Sequence, residues 1–147
     1  MRHVVLLLLI ESLALSAQNP HPAECQSCVV NKNMIRCDYY VARKAVKGKQ
    51  SECEIYARYL DRDGTHANAA WYYLLAGRPK KALAAAQSAI AEGQTYAAEY
   101  AVFALRILGR RAEADSLLKR YADWIRKAGR YEQDRKTLAK LYPQKRL

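Results

Sequence analysis

Two stretches of the chain decide its fold. Residues 66–93 read HANAAWYYLLAGRPKKALAAAQSAIAEG, and residues 96–129 read YAAEYAVFALRILGRRAEADSLLKRYADWIRKAG. Each has the form of an apolar helix rich in small residues, a Gly-Arg turn, and a second helix with an apolar stripe. The turns fall at Gly77 and Gly109, 32 residues apart, and a fainter copy with its turn at Gly48 precedes them. A two-helix unit repeated at such a period predicts a short α-solenoid.

Glycine and proline mark where the predicted helices end. Pro79 follows the Gly77 turn at a position where the first turn of a helix needs no N–H donor. No segment alternates apolar and polar residues as a half-buried strand does, so the sequence predicts an all-α fold. The last predicted helix has polar faces suited to a capping helix that closes one end of a solenoid. After a first helix from Met34, the predicted helices are Gln50–Leu60, Ala67–Ala76, Pro79–Glu92, Tyr96–Leu108, Arg111–Lys127 and Tyr131–Tyr142.

The first residues have the pattern of a secretory signal peptide. A basic start at Arg2 precedes the apolar run Val4–Ile10, and the small residues of a cleavage site follow. Glu11 interrupts the apolar region, and the region is shorter than the roughly 20 apolar residues that a membrane-spanning helix needs. We therefore expect an exported protein, periplasmic or secreted. The predicted organisation is a signal peptide at 1–17, a leader at 18–33, a repeat domain at 34–142 and a basic tail at 143–147.

The chain has four cysteines, Cys25, Cys28, Cys37 and Cys53. An even number in an exported protein predicts disulfide bonds. Along the first hairpin, Cys37 and Cys53 differ in height by about 9 Å, which favours Cys25 and Cys28 each bonding to one of those two, in either combination. A four-thiolate zinc site is the alternative if the chain stays in the cytosol. A redox CxxC requires a strand-to-helix context that this helical chain lacks.

Positive charge is concentrated towards the C-terminus. The formal net charge is +11, and residues 110–147 hold 12 basic and 5 acidic side chains. Such a field favours an anionic partner, so one functional alternative is a basic module that docks on lipid, polysaccharide or nucleic acid. Tyr121, Trp124, Tyr131 and Tyr142 lie among these basic residues, but their spacing is typical of core positions, and we expect Trp124 to be core. Nucleic acid is the least expected of these partners.

Aligned on their turn glycines, the hairpins resemble tetratricopeptide (TPR) repeats. That family places small residues where its two helices approach closely. The position seven before each glycine is Val41, Ala70 and Val102, the position five after it is Cys53, Ala82 and Ala114, and the next is Ala57, Ala86 and Leu118. The spacings of 29 and 32 residues differ from the family's roughly 34, and its repeat-ending proline is absent.

The resemblance implies a scaffold that binds a peptide or protein in the groove formed by successive first helices. Carried over to this sequence, the groove positions are Asp38, Trp71, Leu74, Tyr96, Glu99, Phe103 and Arg106. The alternative is that Trp71, Leu74 and Phe103 are core between adjacent helices. A role in assembling an envelope complex would suit an exported scaffold.

Catalytic signals are sparse in this sequence. His3, His21 and His66 are not spaced with a nucleophile or a second ligand, and no glycine-rich phosphate loop is present. We expect no enzyme activity, no metal and no cofactor, with a helical enzyme or thiol oxidoreductase as the remaining alternative. The leading hypothesis is a non-catalytic interaction module with a short α-solenoid of about three TPR-like hairpins and a C-terminal capping helix.

Overall fold

The computed structural model describes residues 50–147, and within them the side chains of Gln50, Ser51, Glu52, Ile55 and Tyr59 are not described. This part of the chain is all-helical, with seven α-helices, one 3₁₀ turn and no strand, which confirms the predicted fold class for these residues. In chain order the α-helices are α1 Gln50–Arg62, α2 His66–Leu75, α3 Pro79–Ala91, α4 Ala98–Ile107, α5 Arg111–Arg120, α6 Ala122–Ala128 and α7 Tyr131–Leu141; the 3₁₀ turn is Thr95–Ala97.

The Gly-Arg turns end α2 and α4 in the same way. Gly77 and Gly109 have φ values of 73° and 79°, in the left-handed region that glycine adopts without a Cβ clash. The N–H of the following arginine then donates to the carbonyl five residues earlier, at 2.8 Å from Arg78 and 2.9 Å from Arg110. This Schellman arrangement satisfies the last helical carbonyls and turns the chain back sharply.

Small residues bring consecutive helices close together. Each helix from α1 to α5 contacts the next, and α2 also contacts α4. The small residues identified from the sequence lie at these contacts and have no exposed surface: they are Cys53, Ala57, Ala70, Ala82, Ala86, Val102 and Ala114. Short side chains let the helix backbones approach, and the aromatic residues of α2 and α4 then fill the remaining core volume.

The predicted helix Arg111–Lys127 is divided in two. Tyr121 separates α5 from α6 and has φ −109° and ψ 16°, outside helical values. Residues beyond this break no longer continue the apolar stripe of α5. Ile125 is buried, but Trp124 is 54% exposed. The prediction that Trp124 is a core residue is therefore wrong.

The last helix, α7, packs against helices that come earlier in the chain. Helix α7 contacts α6 and also reaches α2. Beyond it, Leu147 is partly buried and packs against the core. No helix within residues 50–147 is long and apolar enough to cross a bilayer.

Substituting a turn glycine tests the Schellman geometry. A Cβ at Gly109 meets no atom within 4 Å, so the cost of Gly109→Ala comes from its φ of 79° alone. We expect the free energy of unfolding to fall by about 1–2 kcal/mol, measured by urea denaturation. Gly109→Asn is the matched control and should cost less, since asparagine tolerates the left-handed region. An alanine variant as stable as the wild type would contradict this account of the turn.

Candidate functional site: a surface of α2 and α4 covered by α7

Six of the seven predicted groove residues lie in the described part of the chain, and Asp38 lies outside it. Leu74 and Phe103 are fully buried, Trp71 and Glu99 are nearly so, and Arg106 is half-buried. Tyr96 is exposed, and its hydroxyl donates to the side-chain oxygen of Gln94 at 3.5 Å. The first five come from α2 and α4, whereas Tyr96 lies apart from them on the 3₁₀ turn.

Helix α7 covers much of this predicted groove. The ring of Tyr131 stacks on Phe103 with 4.9 Å between centroids, and its hydroxyl accepts a 2.6 Å hydrogen bond from the Arg106 guanidinium. Eleven residues further on, just past the end of α7, the Tyr142 hydroxyl donates to the Leu74 carbonyl at 2.5 Å. We call Leu74, Glu99, Phe103 and Arg106 the covered surface.

The anchors of α7 are few. Leu138 is its one buried residue, whereas α2 has eight. Burial raises the pKa of Tyr142 to about 12, so that hydroxyl keeps the proton it donates to Leu74. Just before α7, Arg130 donates to the Tyr100 hydroxyl at 2.7 Å, and the Tyr100 ring in turn packs 5.7 Å from Trp71. Trp71 thus joins the covered surface indirectly, through Tyr100.

Two carboxyl groups meet at the centre of the covered surface. Glu99 is 1% exposed, and neither of its carboxyl oxygens accepts a hydrogen bond from a donor in residues 50–147. A second carboxyl, Asp134 on α7, is close enough to raise the pKa of Glu99 further. Two carboxyls attract each other only while they share a proton.

Burial sets the protonation of this pair. It raises the pKa of Glu99 to about 8, and the neighbouring Asp134 adds to the effect. Burial also raises the pKa of Asp134. The positive charge of Arg130 lowers the pKa of both carboxyls, but its effect is smaller than that of burial. Burial and the neighbouring carboxyl thus both favour the protonated form of Glu99 at neutral pH.

Sequence reasoning did not find the residues that α7 contributes. It identified Tyr131–Tyr142 as a polar capping helix and gave no role to Asp134. The available signal was the spacing of Tyr131, Asp134, Leu138 and Tyr142, three or four residues apart, which places them on one helix face. What that face covers depends on the turn at Gly129, which the periodicity does not determine.

A second polar cluster joins three elements around His66. Its Nδ1 lies 2.8 Å from an Asp61 carboxylate oxygen, and its Nε2 lies 3.4 Å from Glu92. The Tyr73 hydroxyl donates to the other Asp61 oxygen at 3.4 Å. The sequence did not indicate this cluster because its members come from α1, α2 and the end of α3. Within residues 50–147, no group of His, Cys, Asp or Glu side chains is arranged to hold a metal ion.

The disulfide prediction falls almost wholly outside the described residues. Cys25, Cys28 and Cys37 precede residue 50, and Cys53 is buried in α1. Disulfide bonding and the alternative zinc site both stay predictions.

Part of the basic C-terminal third is ion-paired on its surface. Three arginines each pair with a carboxylate three residues away, and these pairs are Arg110 with Glu113, Arg126 with Asp123, and Arg135 with Glu132. Of the four aromatic residues in this third, only Trp124 is mostly exposed. The Lys127 ammonium lies 5.5 Å from the Trp124 ring centroid.

Comparison with known proteins identifies no relative: no family model, no curated protein and no solved structure matches this chain. The likeness to TPR repeats therefore rests on the residues described above.

The buried carboxyl pair predicts a pH-dependent stability. Because the pKa of Glu99 rises from 4.5 to about 8 on folding, the folded state binds more protons than the unfolded state between these values. Stability therefore falls as pH rises through this window. Glu99→Gln removes the ionising group, so the variant does not lose this stability. The difference in free energy of unfolding, variant minus wild type, should therefore increase by roughly 2–3 kcal/mol between pH 5 and pH 8.

Denaturant unfolding at a series of pH values measures this difference. Glu132→Gln is the control, because Glu132 is an exposed carboxyl on the same helix α7, and it should show no such growth. Parallel stability curves for Glu99→Gln and the wild type would show that Glu99 ionises normally in the folded protein.

Proposed function

We propose that this protein is an exported, non-catalytic scaffold that binds a helical segment of a partner on the surface that α7 covers. The observation that carries the proposal is that a helix already occupies this surface and makes aromatic, apolar and hydrogen-bonded contacts there. A surface that accepts one amphipathic helix is suited to accept another of similar pattern, as in helix-in-groove recognition.

The helix packing supports a TPR-like solenoid as the framework. Consecutive helices contact each other, α2 lies against α4, and the small residues at the family's close-contact positions are buried. In this interpretation α2 and α4 are first helices of successive hairpins, and α7 is a capping helix that folds back over them instead of extending the stack. Export, disulfides that attach the leader to the first hairpin, and a role in envelope-complex assembly remain parts of the proposal that rest on sequence alone.

Opening the surface tests the proposal. Leu138→Ala in the full-length chain removes the one buried anchor of α7 and should weaken its docking by about 2–5 kcal/mol. A fluorescently labelled peptide of residues 130–147 should then bind this variant, measured by anisotropy, and should bind the wild type far more weakly, since the wild type's own α7 competes at a high effective concentration.

The control keeps α7 open and alters the surface beneath it. Arg106→Ala combined with Leu138→Ala removes the guanidinium that hydrogen-bonds to Tyr131, and peptide binding should weaken by roughly tenfold. Circular dichroism checks that each variant remains helical, and Tyr131→Ala provides a second way of loosening α7. If the peptide bound none of the opened chains, the covered surface would not be a helix-binding site.

A second candidate function is docking on an anionic surface. Trp124 is the observation that favours it, because an exposed tryptophan near Lys127, in a chain of net charge +11, has the amphipathic chemistry of residues at a membrane interface.

Vesicle binding distinguishes this candidate. Sedimentation with vesicles of mixed zwitterionic and anionic phospholipid should show binding that weakens steeply with added salt. Trp124→Ala should reduce that binding by roughly threefold to tenfold, while Tyr96→Ala, which removes another exposed aromatic, should leave it unchanged. Binding that is insensitive to salt and to Trp124→Ala would exclude this function.

A further inference from the structure

Helix α7 and the residue after it place side chains on the surface beneath at helical spacing. Tyr131, Asp134 and Leu138 occupy positions i, i+3 and i+7 of one helix face, and Tyr142 follows just past the end of α7. Three of them make favourable contacts: Tyr131 on Phe103, Leu138 in the core, and Tyr142 on the Leu74 carbonyl. Asp134 is the exception, because it brings a carboxyl to Glu99, which is itself a carboxyl, and such a contact is attractive only while the pair holds a proton.

Glu99 is an acceptor that receives no hydrogen bond from the part of the chain that the structure describes. Its two carboxyl oxygens are buried, and no donor within residues 50–147 forms a hydrogen bond to them. A buried carboxylate without a donor is costly, and one with a charged donor is stabilised by a strong, charge-assisted hydrogen bond. The position opposite Glu99 therefore has a chemical preference that Asp134 does not meet.

The nearby cations are engaged with other groups. The Arg106 guanidinium donates to the Tyr131 hydroxyl at 2.6 Å and lies 3.4 Å from the Asp115 carboxylate. Arg130 donates to the Tyr100 hydroxyl at 2.7 Å. It also acts on Glu99 through its charge. Neither arginine forms a hydrogen bond to Glu99, so among residues 50–147 the place from which a cation could form one is the helix that lies on this surface.

We propose that the covered surface selects a helical segment of another protein that carries lysine or arginine at the place of Asp134. The recognised pattern is an aromatic residue, a basic residue three positions later, a leucine four positions after that, and a tyrosine four positions further on. Glu99 is the residue that determines this specificity. The inference rests on the proposed function, because it names the class of partner for the same surface.

In this account α7 occupies the covered surface until the partner helix binds there. It keeps the apolar residues of α2 and α4 away from water while the partner is absent. The carboxyl of Asp134 beside Glu99 lowers the free energy needed to displace α7. A binding segment with lysine or arginine at this place gains a contact with Glu99 that α7 lacks. Charge complementarity with Glu99 is what distinguishes the partner helix from the chain's own helix.

Peptides that differ at one position test the proposal. The full-length Leu138→Ala chain is titrated with peptides of residues 130–147 that carry aspartate, asparagine or lysine at position 134. At about pH 8 we expect the affinity to rise in that order, with the Asp134→Lys peptide binding at least about tenfold more tightly than the native peptide. In the chain that also carries Glu99→Gln, the ratio should fall to about one or two.

A Glu132→Lys peptide is the matched control. It makes the same exchange of an acid for lysine at an exposed position of the helix, so it changes net charge equally without facing Glu99. If it bound as tightly as the Asp134→Lys peptide, or if the preference for lysine survived Glu99→Gln, the specificity proposal would be overturned and the helix-binding function would stand. If no peptide bound the Leu138→Ala or Tyr131→Ala chains, both proposals would fail.

Discussion

The close packing of small residues between consecutive helices is the constraint on which the rest of the structure depends. Ala70 and Val102 on the first helices, and Ala82 and Ala114 on the second helices, have no exposed surface. Larger side chains at these contacts would force the helices apart. The larger aromatic and aliphatic residues of α2 and α4, such as Leu74 and Phe103, are also fully buried, and α7 lies against them. Those residues need a cover, and α7 provides it.

Helix α7 and the helices that it covers, α2 and α4, are stabilised in different ways. Helices α2 and α4 bury most of their side chains. Helix α7 has one buried residue, and its other contacts are a stacked ring, the partly buried Leu141 and three tyrosine hydrogen bonds made by it or its flanking residues. A segment with few buried apolar contacts opens at a lower free energy than the core. The carboxyl pair lowers that free energy further as pH rises, since it is attractive only while protonated. A stable framework with a weakly docked helix suits a protein that exchanges its own helix for a partner's.

The sequence predicted most of the helix boundaries and little of the site. Gly77 and Gly109 ended the predicted helices because a left-handed residue is a local requirement that glycine meets. Trp124 was assigned to the core because periodicity assumes an unbroken helix, and the break at Tyr121 changes the direction of everything after it. Four of the predicted groove residues, Leu74, Glu99, Phe103 and Arg106, interact with α7 or with Tyr142 just after it, and this cover could not be read from their spacing. The contact of Glu99 with Asp134 joins positions 35 residues apart through two turns, and no local pattern encodes it.

Amide hydrogen exchange of the wild-type protein, resolved by residue, tests the central claim that α7 is a docked helix that opens independently. The account predicts that amides of residues 131–142 are protected, but that they exchange with a lower opening free energy than those of α2, α3 and α4, and that this gap widens as pH rises from about 6 to about 8 after correction for intrinsic rates. If α7 were unprotected, or if it exchanged only with global unfolding, it would be either undocked or part of the core. Either result would contradict the account.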